Sequence, residues 1–180
     1  SVTLQQVIPP TIFSITGTVS TAADAMDTGD TEIDAALDAA WKTTVTLKPS
    51  FLSETVIATT GVDAATKTFE LTDIENGTYV LEIKRAGFLT RDVAVTINNG
   101  DINLGDKAML PGDLNGDYFI DGSDVGILFS AAGYTYGDPE YLIGSDIYPD
   151  GYLDGSDVGV LFTYAGLDYT YYNETVDFEQ

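Results

Sequence analysis

The stretch Asp121–Gly126, DGSDVG, returns letter for letter as Asp154–Gly159. Each copy closes a run of spaced oxygen-bearing side chains. In the first run these are Asp113, Asn115, Asp117, Asp121 and Asp124; in the second they are Asp146, Asp150, Asp154 and Asp157. Counted from the first Asp of each run, the shared carboxylates fall at positions 1, 5, 9 and 12. A loop of roughly twelve residues with this spacing turns alternate side chains inward and supplies the roughly six to eight oxygens that a calcium ion needs. Asp-rich turns are common, but two such runs in register point to a pair of cation loops.

Each loop runs into a helical pattern. Ser123–Gly133 and Ser156–Gly166 carry Ser near the start and Gly past the end, which is helix punctuation. Val125, Leu128 and Ala132 share one face by spacing, as do Val158, Leu161 and Ala165, so the two faces are expected to pack together. The residues upstream read differently. Ile12–Val19, Thr43–Lys48, Thr55–Thr59, Lys67–Thr72, Thr78–Arg85, Arg91–Ile97 and Ile102–Leu104 are short, β-branched and separated by turns such as Asn76-Gly77 and Asn98-Asn99-Gly100. Seven such strands predict an Ig-like β-sandwich. Within the insertion Thr21–Ala40, the stretch Glu32–Ala40 predicts a short helix, and Trp41 is the expected core anchor. Pro111-Gly112 marks the seam. The expected organisation is two domains: residues 1–110 an all-β sandwich, packed on residues 111–180 as a small all-α unit of two loop–helix repeats. So short a linker implies contact between them.

Charge narrows the function. The net charge is −22 over 180 residues, and no Lys or Arg follows Lys107. Nothing there can neutralise phosphates, so nucleic acid is excluded as a partner. The chain has no Cys and no His, which closes off disulfide scaffolds, the usual zinc sites and His- or Cys-based nucleophile systems. No apolar run reaches the roughly 18 residues of a membrane span, so direct membrane insertion is not expected. The opening SVTLQQVIPP lacks the pattern of a signal peptide and reads as the start of a mature or excised chain. Paired carboxylates also occur in glycosidases, but calcium spacing already accounts for these, and the chain is read as non-catalytic.

Pro111–Gly133 (PGDLNGDYFIDGSDVGILFSAAG) and Ser145–Gly166 (SDIYPDGYLDGSDVGVLFTYAG) together resemble a cellulosomal dockerin. Dockerin loops differ from ordinary EF-hands in lacking a helix before the loop and in closing on Asp, as Asp124 and Asp157 do here. Phe69–Gly105 (FELTDIENGTYVLEIKRAGFLTRDVAVTINNGDINLG) is similar to the X modules that adjoin some dockerins. The pair resembles the X module–dockerin arrangement of a scaffoldin.

That resemblance implies a secreted, cell-surface-associated assembly module that binds a cohesin with the help of two calcium ions. It implies ligands at Asp113, Asn115, Asp117, the Phe119 carbonyl, Asp121 and Asp124, and at Asp146, Tyr148, Asp150, the Tyr152 carbonyl, Asp154 and Asp157. Two departures matter. Tyr118 stands at position 6, where Gly is usual, at a cost of about 1 kcal/mol. Tyr148 stands at position 3, where a phenol is a poor ligand, so the second site is expected to be weaker. The implied cohesin contacts are Gly122, Ser123, Ile127, Phe129 and Ser130, with Gly155, Ser156, Val160, Phe162 and Thr163 in the second copy. Phe129 and Phe162 are read either as partner anchors or as internal packing. The competing readings are a calcium-stiffened structural domain of a bacterial surface adhesin and the dockerin of a cellulosomal enzyme.

Overall fold

The computed structural model describes residues 10–21 and 26–172; residues 22–25 of the insertion and the last eight residues of the expected second unit lie outside this range. The described residues form seven strands: β1 (Phe13–Thr21), β2 (Thr44–Lys48), β3 (Ala58–Gly61), β4 (Thr68–Ile74), β5 (Gly77–Lys84), β6 (Arg91–Ile97) and β7 (Ile102–Met109). They form two sheets, ordered β4-β1-β7 and β3-β2-β5-β6. Pairing is antiparallel except between β1 and β7, which run parallel. Alternate residues point inward, and Ile15, Val45, Leu47, Phe69, Leu71, Leu81, Ile83, Val93 and Val95 fill the space between the sheets.

The helix α1 (Thr31–Ala40) closes one end of the sandwich. Asp30 caps it by accepting from the Glu32 and Ile33 amides, as an N-cap carboxylate does. Trp41 follows and is buried in the core. Its indole N–H donates to the Ala86 carbonyl at 2.8 Å. The Arg85 guanidinium lies 3.8 Å over the Trp41 ring, a cation–π arrangement.

The expected all-α second unit is not what the chain builds. Among the described residues after β7 only two α-helices occur, α2 (Gly122–Ala131) and α3 (Gly155–Tyr164), each of ten residues. Loops and two short 3₁₀ turns, Ile143–Ser145 and Tyr169–Tyr172, make up most of the rest. Isolated β-bridges join Phe119 to Asp168 and Thr135 to Tyr152. The reason is local. Asp and Asn side chains hold neighbouring amides in turns throughout these loops, and such bonds compete with helix.

Among the described residues this part packs against the sandwich. A third bridge joins Phe88 of the sandwich to Pro111. Leu89 of the sandwich sits in the small core with Ile120, Leu128, Ile147 and Leu161. In return, Tyr141 and Ile143 pack on the sandwich core. The Tyr172 hydroxyl accepts from the Leu110 amide at 3.0 Å and donates to the Leu89 carbonyl at 2.9 Å.

Candidate metal loops and interface

Both loops are built around two buried carboxylates. In the first, Asp113 accepts from the amides of Gly116 (2.6 Å), Asp117 (3.2 Å) and Tyr118 (3.1 Å). Asp124 accepts from Leu114 (2.8 Å) through one oxygen and from Asp121 (2.8 Å) through the other. In the second, Asp146 accepts from Asp150 (3.2 Å) and Gly151 (2.9 Å), and Asp157 from Tyr148 and Asp154 (both 2.9 Å). Positions 1 and 12 therefore clamp each loop from both ends. Asp121 and Asp154 start the helices, each accepting from the amide two residues on at 2.7 Å. Asp124 and Asp157 bond back to them, completing a capping box at each helix start.

The remaining expected ligands lie on the rims. Asn115 donates to Asp117 (2.8 Å) and to the Ser123 hydroxyl (2.9 Å). Asp117 accepts from the Phe119 amide, and Asp150 from the Tyr152 amide, each at 3.0 Å. The Tyr148 side chain points largely to solvent. Among the described residues no three acidic side chains converge into a ready cage, but the loop carboxylates lie close enough to repel one another, Asp124 and Asp117 acting on Asp113 and Asp146 and Asp150 on Asp157.

Burial sets the electrostatics. Asp113, Asp146 and Asp157 are each pushed up to about 6, chiefly by loss of water and against the pull of the amides that bond them. Asp124 adds to the repulsion at Asp113, and Asp146 to that at Asp157. Asp121, at the surface, moves the other way because the Ser123 amide and hydroxyl bond its carboxylate. With no Lys or Arg after Lys107, no side-chain cation of this segment balances the buried pairs. An all-oxygen, anionic donor set fits a hard dication.

Both position-6 residues adopt left-handed backbone, Tyr118 at φ 72° and Gly151 at φ 83°. Both also meet the sandwich half. The Tyr118 ring lies edge-on to Phe51 at 5.8 Å and to Tyr169 at 6.5 Å, and its hydroxyl interacts electrostatically with the Asp92 carboxylate on β6. A Cβ on Gly151 would stand 2.8 Å from Thr28 Cγ2, and the Asp27 amide donates to Pro149 at 2.7 Å. The Tyr141 hydroxyl also bonds Asp146. Sequence reasoning found none of these partners. The one signal was Tyr118 itself, a side chain where Gly was expected.

The helices present a duplicated outer face. Phe129 is 59% exposed and Phe162 57%, so neither is internal packing. Gly122, Ser123, Ser130, Gly155, Ser156 and Thr163 are exposed beside them. Ile127 is half-buried at the seam, and Val160 packs on the small core. The inner faces are shifted from expectation. Ala131, not Ala132, is buried on α2, and Tyr164, not Ala165, turns inward on α3. Leu128 is followed inward at i+3, the nearer of the two same-face spacings.

The fold is similar to a chain in the crystal structure of a type II cohesin–X-dockerin complex from Acetivibrio cellulolyticus carrying an N-terminal interface mutant. The TM-score is 0.66 at 22% identity, over 88% of this chain and 98% of that one. A structure of the same complex with a C-terminal interface mutant gives 0.65 at 22%, with the same coverage. No protein-family model matches the chain, and no curated protein does.

Proposed function

We propose that this chain is a non-catalytic assembly module that binds a cohesin in a calcium-dependent way, in an extracellular, cell-surface cellulosomal setting. The observation that carries this is the pair Phe129 and Phe162. Two large apolar side chains stand exposed at matching positions of two nearly identical helices. Exposed aromatics ringed by small polar residues are what interface centres use. The likeness in fold to cohesin–X-dockerin complex chains supports the class of partner.

In this reading Asp113, Asn115, Asp117, Asp121 and Asp124, with the Phe119 carbonyl, hold one calcium ion. Asp146, Asp150, Asp154 and Asp157, with the Tyr152 carbonyl, hold the other. Calcium supplies positive charge and fixes the loops; it performs no reaction. The capping carboxylates start α2 and α3, so filling the loops orders the face that carries both Phe side chains. Tyr148 leaves the second loop one protein oxygen short.

The test is capture by immobilised cohesins in calcium. Phe129→Ala and Phe162→Ala singly are expected to weaken capture modestly, because either helix can lead. The double variant is expected to lose roughly a hundredfold, the scale of two interface anchors. Undiminished capture by the double variant, folded by circular dichroism, would reject this surface.

A further inference from the structure

Tyr118 is at odds with its own position and yet is held in place from outside the loop. Position 6 of a calcium loop favours Gly because the backbone turns left-handed there. Tyr118 takes that conformation at φ 72°. Its amide bonds the Asp113 carboxylate at 3.1 Å, so the orientation of this residue sets that of the first oxygen donor of the loop. The ring is held between Phe51, in the connection after β2, and Tyr169, beyond α3. The hydroxyl and the Asp92 carboxylate on β6 also feel each other electrostatically. Three parts of the chain that are far apart in sequence thus fix one loop residue.

We infer that Tyr118 is a positioning residue through which the β-sandwich pre-organises the first calcium loop, so that the sandwich is part of that site's affinity. The inference rests on the calcium reading proposed above. The sandwich meets the second loop differently, through Thr28 against Gly151 and Asp27 against Pro149, with no side chain reaching back from position 6. The coupling through Tyr118 therefore belongs to the first loop alone.

The consequence runs against loop chemistry taken in isolation. Tyr118→Gly relieves the backbone and restores the residue a free-standing loop prefers, which by itself would tighten calcium binding. If the sandwich organises the loop, the same change cuts the link and weakens binding.

The test is calorimetric calcium titration of the whole chain, resolving the two sites, for wild type, Tyr118→Gly, Tyr118→Phe and Phe51→Ala. The expected result is a loss of about tenfold at one site in Tyr118→Gly, the scale of the two aromatic contacts less the relieved backbone cost. The other site should hold, and Tyr118→Phe, which keeps the ring contacts, should lose less. A role confined to general stability would lower the melting temperature without changing the ratio of the two affinities. Calcium bound as tightly or more tightly by Tyr118→Gly overturns the inference and leaves the calcium reading intact. If Tyr118→Gly does not fold, Phe51→Ala, which removes the sandwich ring that meets Tyr118, decides, and unchanged affinities in it overturn the inference. Absence of calcium binding in the wild type removes both.

Discussion

Gly87 is the tightest point of the seam between the sandwich and the second loop, and replacing it tests whether the two parts behave as one body. A Cβ there would lie 1.8 Å from the Gly144 carbonyl oxygen, at a backbone φ of 80°. The clash is with backbone, so no side chain can swing away. The left-handed conformation alone costs an Ala about 1 kcal/mol. Relieving the clash means moving Ile143–Ser145 outward, which loosens Tyr141 and Ile143 from the sandwich core. It also strains the 2.8 Å bond from the Gly112 amide to the Gly87 carbonyl, worth about 1–3 kcal/mol if the amide is left buried and unpaired. Gly87→Ala should therefore destabilise by about 4 kcal/mol, a large share of a typical domain's stability. Gly105→Ala is the control, since its φ is 67° and its Cβ would meet nothing within 4 Å; it should cost only about 1 kcal/mol. Urea unfolding followed by circular dichroism measures both, with hydrogen exchange over residues 141–157 to localise the effect. Equal costs for the two variants would refute the claim that the seam is tightly packed.

Four further outcomes follow from the geometry. Asp92 is pushed up to about 6, by burial first and then by Glu82, and one of its oxygens is buried without a hydrogen bond. Its ionised form is thus disfavoured in the fold, so its contribution to stability falls as pH rises from about 4 to 6 and stays low above. Asp92→Asn should then stabilise by up to about 3 kcal/mol at pH 7, with the gain gone by pH 4 in parallel urea titrations. Tyr172→Phe leaves the Leu110 amide and the Leu89 carbonyl without the hydroxyl between them; the melting curve should record a loss of about 2 kcal/mol. Excess chelator at pH 7 should remove the circular dichroism of α2 and α3 while leaving the sandwich signal, and loop-specific Asp→Ala variants should show the second calcium site to be the weaker one.

Much of the architecture was legible because local rules govern it. Short β-branched segments marked the strands, and Glu32–Ala40 lies within α1; the two loop-exit helices start one residue before the expected Ser, capped by Asp121 and Asp154 instead, and end two residues before the expected Gly. The errors have non-local causes. The strand expected over Thr55–Thr59 lies at Ala58–Gly61, where pairing with β2 sets its register. The last strand runs to Met109 because it pairs in parallel with β1, which no local pattern announces. The all-α expectation extended helix character from two ten-residue segments to loops that are held by Asx bonds and isolated bridges. At the candidate site, the loop spacing was visible but the sandwich residues that touch it were not. Phe51, Asp92 and Thr28 meet the loops only once the chain has folded back on itself.

The most direct measurement is capture of the whole chain on a broad panel of cohesins, once in calcium and once in chelator. The account predicts capture by at least one cohesin in calcium and none in chelator. Calcium binding confirmed on the same sample, with no capture by any cohesin, would contradict it and leave a calcium-stiffened structural module in its place.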